Sequence, residues 1–182
     1  TAAEILEALR AGIERECRPR EVGILLSGGI DSAILAALVP AGSPAYTIRF
    51  DADGAVDEGP AAGEYARHCG LDPHVVSVTW SYHEEHLERL MAHKRSPLHP
   101  VEVGLFTAAR AAADDGCTQL VVGNGADSTF GGLDRLLSVD WSFDDFIRRY
   151  TFIEPSTALR APLPLHSIYA PYRRGDGIDV VG

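Results

Sequence analysis

The sequence predicts an α/β protein with a doubly wound, mainly parallel sheet flanked by helices. Short apolar runs alternate with stretches whose apolar residues recur at helical spacing. Two of the runs, Val22–Leu26 and Gln119–Val122, are near-continuous rather than alternating, as strands buried on both faces are. Each of these two goes straight into a glycine-rich loop bearing an aspartate: Ser27-Gly28-Gly29-Ile30-Asp31-Ser32 and Gly123–Gly132.

Taken in order, Ile5, Leu6, Leu9 and Ile13 share one face of a helix over residues 3–17, closed by Pro19. Val22–Leu26 is the first strand. A helix follows from about Ser32 to Val39, and Pro40, Gly42 and Pro44 end it. Ala45–Phe50 is the second strand and Asp51–Pro60 a polar loop. Ala61–Cys69 is helical, with Gly70 as its stop. Val75–Trp80 is the third strand. Tyr82–His93 is a helix with Leu87, Leu90 and Met91 on one face, and Arg95–Pro100 is a loop. Val101–Ala113 is an alanine-rich helix and Gln119–Val122 the fourth strand. Phe143–Tyr150 is helical. After Pro155, proline and arginine leave no assignable element. The expected organisation is one domain, 1–182, with a helical lead over residues 1–20 and an irregular segment from about residue 155.

Composition narrows the class. A formal net charge of −10 argues against a nucleic-acid surface. No apolar run approaches the ~20 residues of a membrane span, and no signal-peptide pattern opens the sequence. Cys17, Cys69 and Cys117 stand far apart and are odd in number, so a disulfide framework or a zinc site is not expected. They read as small apolar residues of a reducing, cytoplasmic compartment.

The first loop has the chemistry of a phosphate site. Its glycines let backbone N–H groups face a ligand without a side chain in the way. A helix N-terminus follows, which favours an anion. Ser27 and Ser32 add hydroxyls. Asp31 would repel a phosphate unless it holds a divalent cation that the phosphates also bind. In open α/β sheets ligands sit beyond the carboxyl ends of the strands, where strand order reverses. If the first and fourth strands are neighbours, their loops face each other there, and Asp31 and Asp127 can share one magnesium ion. A lone lysine, Lys94, lies far from Gly28, and neither Gly-x-x-x-x-Gly-Lys-Ser/Thr nor Gly-x-Gly-x-x-Gly follows the first strand.

The stretch Ser27-Gly28-Gly29-Ile30-Asp31-Ser32 resembles the pyrophosphate loop of the N-type ATP pyrophosphatases, the PP-loop superfamily. Gly123-Asn124-Gly125-Ala126-Asp127-Ser128-Thr129-Phe130-Gly131-Gly132 resembles the asparagine synthetase stretch Gly-Glu-Gly-Ala-Asp-Glu-x-Phe-Gly-Gly-Tyr. Asp57-Glu58 with Ala62, Tyr65-Ala66 and Cys69-Gly70-Leu71 is similar to that family's segment after its second strand, and Arg160-Ala161-Pro162-Leu163 is similar to its Arg-x-Pro-Phe. The resemblance spans most of residues 22–165 and points to the synthetase domain of asparagine synthetases.

It implies an adenine nucleotide α-hydrolase-like, Rossmann-like fold that uses ATP and magnesium. A carboxylate attacks the α-phosphorus, giving an acyl-adenylate and pyrophosphate; ammonia or an amine then displaces AMP to form an amide, as in asparagine biosynthesis. By position, Ser27, Gly28, Gly29, Ile30, Asp31 and Ser32 would hold pyrophosphate. Asp31 and Asp127 would hold magnesium, and Leu26, Ile48, Phe50 and Gly123 would line the adenosine. Asn124 takes the family's glutamate position tied to amide formation, and Ser128 replaces a second glutamate. Asparagine cannot act as a base near neutral pH. The family's late pyrophosphate-binding lysine has only arginines such as Arg173 and Arg174 as counterparts. Nothing like the family's glutaminase domain precedes residue 22, so a separate glutaminase chain, ammonia or another amine is the expected nitrogen source.

Two other readings stay open: an ATP-binding regulatory module without turnover, and another PP-loop adenylating enzyme of the sulfur-transfer or NAD synthetase type. The oligomeric state is open, a homo-oligomer included. His83 and His86, at i and i+3, are expected to be exposed helix residues, and Trp80 and Trp141 to be packing groups. His99, in a proline-flanked loop, is a candidate substrate contact. Arg148-Arg149 is expected to be a solvated helix face.

Overall fold

A computed structural model describes residues 1–99, 101–127, 140–151 and 164–178. The chain divides into two compact units, Thr1–Gly123 and Asn124–Gly182.

The first unit contains α1 (Ala2–Glu16), β1 (Val22–Leu25), α2 (Ile30–Ala36), β2 (Pro44–Asp51), α3 (Gly59–His68), β3 (Asp72–Thr79), α4 (Trp80–Lys94), α5 (Val101–Asp114) and β4 (Gln119–Val121). The four strands form one sheet in the order β3-β2-β1-β4, and every neighbouring pair is parallel. The predicted α/β class and parallel sheet hold, and β1 and β4 are neighbours, as the two-loop arrangement requires.

Alternation along the strands divides the core between two faces. Ile24, Leu26 and Ala45 pack with Ala36, Val39, Ala62, Ala66 and Leu71 from the α2 and α3 side. Tyr46 packs with Ala108 and Ala112 of α5, joined by Leu25, Ile48 and Val76. The alanines permit close helix-to-sheet approach, and Gly104 takes this furthest: a Cβ there would lie 2.8 Å from Ile48 Cγ2.

Helix ends follow local chemistry. Thr1 and Glu4 form a capping box on α1, and Thr79 Oγ1 accepts from the Tyr82 amide at the start of α4. Gly70, at φ +69°, ends α3 with the amide bonds Leu71 to Ala66 and Gly70 to Arg67, a Schellman closure.

Several expectations are corrected. Trp80 belongs to α4 rather than to the third strand, and it is 65 % exposed, with one ring face against His83. α2 starts two residues earlier than predicted, inside the glycine-rich loop. His83 and His86 are buried, not exposed. His83 stacks on Trp80, and His86 stacks on Tyr82 with their ring centroids 3.9 Å apart; its Nδ1 lies 3.0 Å from the Tyr82 carbonyl oxygen. Lys94 donates to both carboxylate oxygens of Glu102 at 2.8 Å, and Glu102 also accepts the His99 amide at 2.7 Å. The lone lysine therefore braces the α4–α5 loop. That bond, and then the His99 amide, hold the Glu102 carboxyl below the usual carboxylate range. His99 Nδ1 accepts the Val101 amide, so this histidine caps α5.

At the amino ends of the strands, the fully buried Tyr46 donates to Asp115 Oδ2 at 2.7 Å. Burial, then this bond, pushes the phenol well above its ordinary range. A raised folded-state pKa contributes stability that is complete below the unfolded value, ~10, and is lost as pH rises beyond it. Tyr46→Phe is expected to cost about 1 kcal/mol at neutral pH. One unit above pH ~10 the parent should have lost roughly 1.4 kcal/mol that the variant keeps, so the gap closes and the order of stability reverses slightly. Urea unfolding of both proteins at the two pH values checks this; parallel loss of stability would refute it.

The second unit contains α6 (Phe143–Tyr150), at the predicted bounds, then α7 (Leu165–Ile168), a 3-10 turn (Ala170–Tyr172) and an antiparallel hairpin, β5 (Arg173–Arg174) with β6 (Gly177–Ile178). Ser142 caps α6 by accepting the Asp145 amide, and Phe143, Phe146 and Ile147 are buried. Arg148 is exposed and pairs with Asp145 at 3.0 Å, as a solvated face should. Among the described residues, no helix is long and apolar enough to cross a membrane.

Candidate functional site

In the first unit, the sheet order puts β2 and β3 on one side of β1 and β4 on the other, so the order in which strands are added reverses at β1 while all remain parallel. That is the switch point where ligands bind in such sheets. Leu26 leaves the end of β1 with its amide donated to the Tyr46 carbonyl at 2.8 Å. Backbone groups of every second residue of a parallel strand face the same neighbour. Ile48, two residues beyond Tyr46, thus turns its amide and carbonyl toward the space past the end of β1. Its side chain and that of Phe50 lie against Gly104 of α5. Ile48 can therefore offer backbone to a ligand while its side chain holds the fold, and the Phe50 ring is committed to packing.

The loop after β1 is braced by its two serines. The Ser27 amide donates to Ser32 Oγ at 3.1 Å, the Gly29 amide donates to Ser27 Oγ at 3.2 Å, and the two hydroxyls are 2.9 Å apart. Ser32 Oγ also lies 3.0 Å from the Gly29 carbonyl and 3.2 Å from that of Ser27. One hydroxyl proton serves one of these acceptors at a time. Ser32 is buried and engaged, so the structure gives it the role of loop brace; Ser27 is half-buried and shares that work. The first backbone bond of α2 is from the Ala33 amide to Gly29, at 3.2 Å, so the amides of the first turn lack helical partners.

The glycines leave room that packing does not require. A Cβ on Gly28 would meet only ordinary contacts, 3.5 Å to Ala61 Cβ and 3.8 Å to Glu58 Cβ, with no positive φ to accommodate. A Cβ on Gly123 would lie 3.7 Å from Asp31 Cβ and 3.7 Å from the Ser32 amide nitrogen. The end of β4 is therefore in contact distance of the phosphate-loop helix. Bare backbone at Gly28 and Gly123 fits a bulky anionic ligand held by main-chain groups.

Asp31 and Ile30 are exposed on the first turn of α2, Ile30 at 72 %. The Asp31 carboxylate is a hard oxygen donor of the kind magnesium takes, without any hydrogen bond or ion pair among the described residues, so the donor set fits that ion. Sequence reasoning missed Glu58, beyond its membership of the Asp57-Glu58 pair. The structure sets its Oε1 3.9 Å from the Cβ position of Gly28. No sequence spacing signals this, because the contact crosses from the start of α3 to the loop after β1.

In the second unit, Asn124 and Asp127 are exposed, and Gly125 at φ +89° makes the turn that leads into helical backbone at Ala126 and Asp127. Ser128, the rest of the second loop and Arg160–Leu163 lie outside the described residues. Arg173 donates to the Gly175 carbonyl at 3.1 Å and lies over the Phe143 ring. A cavity of about 420 Å³ is lined by Asp140, Trp141, Asp145, Arg148 and Arg149.

A family model described as asparagine synthase matches residues 4–171. Among curated proteins, the chain is similar to the amidase chyE of Penicillium rubens and the amidase chry2 of Gibberella zeae. Each is 28 % identical over 148 residues, 71 % of this chain and 22 % of the relative. The chain thus spans about a fifth of the length of these relatives. Among solved structures it is similar to a predicted subunit of tRNA methyltransferase from Methanocaldococcus jannaschii, with a TM-score of 0.38 and 22 % identity, over 79 % of this chain and 67 % of that one.

Proposed function

The chain belongs to the asparagine synthase family, and on that premise we propose that it is an ATP-dependent adenylating domain that activates a carboxylate for amide formation. The glycine-bared loop at the β1–β4 switch point carries the proposal. It offers main-chain amides, a helix start and an exposed carboxylate where a nucleotide triphosphate would lie.

In this scheme the β- and γ-phosphates rest against Gly28 and Gly29, and the adenosine runs toward the Ile48 and Gly123 backbone. An oxygen of the substrate carboxylate forms a bond to the α-phosphorus while the bond to the β-phosphate oxygen breaks, and pyrophosphate stays on the loop. Ammonia or an amine then attacks the acyl carbon, AMP departs, and the surplus amine proton goes to solvent. Magnesium, when bound, would neutralise charge on the departing pyrophosphate. Asp31 is proposed to hold it, and Asp127 stands at the family's second metal-binding aspartate position. Asn124 stands where the family has glutamate; it can orient the amine by hydrogen bonds but cannot take its proton.

The named amidases act on the same bond class in the opposite sense, which favours a second reading, amide cleavage without ATP. The two separate by nucleotide dependence. A panel of carboxylic acids with ATP, magnesium and ammonia is expected to give pyrophosphate and AMP in equal amounts. Asp31→Ala should lower that rate by about a hundredfold, the loss of roughly 2.7 kcal/mol of transition-state stabilisation. Amide hydrolysis at an equal rate with and without ATP would overturn the proposal.

A further inference from the structure

Two exposed carboxylates flank the loop after β1, and only Asp31 has a role in the scheme above. The other is Glu58. Its Cβ and Oε1 lie 3.8 and 3.9 Å from the Cβ position of Gly28, the residue whose backbone is bared for phosphate. Glu58 stands at the N-cap of α3, yet its side chain makes no cap bond. Asp57 serves there instead, its Oδ1 accepting the Gly59 amide at 2.9 Å. The Glu58 carboxylate is exposed and takes no hydrogen bond or ion pair among the described residues.

The start of α3 favours a negative charge through its dipole, but no hydrogen bond of that helix fixes the carboxylate on the side of this loop. Electrostatics says what it does to a ligand. A bare phosphate entering beside Gly28 meets a full negative charge from Glu58 and another from Asp31. The start of α2 offers only a partial positive charge, roughly half a unit, in return. A divalent cation on the phosphates reverses the sign of both carboxylate terms.

We propose that Glu58 is a specificity-determining residue of the phosphate loop, which admits a nucleotide only as its divalent-cation complex and rejects metal-free ATP and free phosphate. The proposal rests on ATP being the ligand. Glu58 acts on the phosphates through charge and takes no part in bond making.

Calorimetric titration of the protein with ATP, in excess magnesium and in EDTA, tests it, with inorganic phosphate as a third probe. The parent protein is expected to bind ATP far more weakly in EDTA. Glu58→Gln removes the charge at nearly constant shape and should shrink the magnesium-to-EDTA affinity ratio by about tenfold, mainly by tightening the EDTA arm. Glu58→Lys should shrink it further and bring phosphate binding into range. An unchanged ratio in both variants, with the parent still binding ATP in magnesium, overturns the role of Glu58 and leaves the nucleotide site standing. Failure of the parent to bind ATP in magnesium overturns both.

Discussion

Gly28→Ala is expected to leave the protein folded and to weaken binding of magnesium–ATP by about a hundredfold. The fold tolerates the methyl group, since its nearest neighbours would be at 3.5 Å or beyond and the backbone needs no positive φ. Under the proposed function the methyl would crowd phosphate oxygens resting against the Gly28 backbone. Hydrogen bonds from the loop amides to a charged phosphate contribute about 1.5–3 kcal/mol each. Losing one of them is worth roughly one to two decades in affinity. Titration with ATP beside a thermal melt reads both halves: a melt within a degree or two of the parent and a greatly raised Kd. Unchanged affinity would remove the loop from the nucleotide site.

Gly104→Ala and Gly12→Ala are expected to move stability in opposite directions although the chemical change is the same. Both glycines lie in helices, where alanine is favoured by about 1 kcal/mol. At Gly12 in α1 a Cβ meets nothing within 4 Å, so that gain should appear nearly whole. At Gly104 the Cβ would lie 2.8 Å from Ile48 Cγ2 and 3.0 Å from Phe50 Cζ. Ile48 is β-branched and held between its strand neighbours, so Cγ2 cannot swing aside as a long side-chain tip would. Overpacking of this kind costs about 1–3 kcal/mol and should exceed the helical gain. Urea unfolding is expected to place the two variants apart by the overpacking cost, roughly 1–3 kcal/mol, on either side of the parent. Equal shifts would show that α5 does not press on β2 at Gly104.

Legibility in the sequence followed the range of the interactions. An apolar run marks a strand whether or not both faces are covered: β1 is buried while β4 is only half-buried, against expectation, yet β1, β2 and β4 all lie within a residue or so of the bounds their runs predict. β3 begins three residues before the predicted strand because Asp72, Pro73 and His74 pair with Pro44, Ala45 and Tyr46, and that partner is not local. His83 and His86 read as polar and so as exposed. The face of α4 that carries them is covered because the His86 ring meets Phe106 of α5. His99 read as a loop residue; the structure gives its Nδ1 a local partner, the Val101 amide at the start of α5, which no sequence spacing announces.

By itself the sequence determined the α/β class, the parallel alternation of strands and helices, and the glycine-rich turn from β1 into α2. Each of these follows from residues adjacent in the chain: apolar periodicity, glycine freedom and a helix start. Only the tertiary structure decided the order β3-β2-β1-β4, the meeting of Gly123 with Asp31, and the commitment of Ser32 to its own loop. It alone set the Glu58 carboxylate beside Gly28. These depend on which crossover packs on which face and how closely, quantities fixed by side-chain volume between segments far apart in sequence.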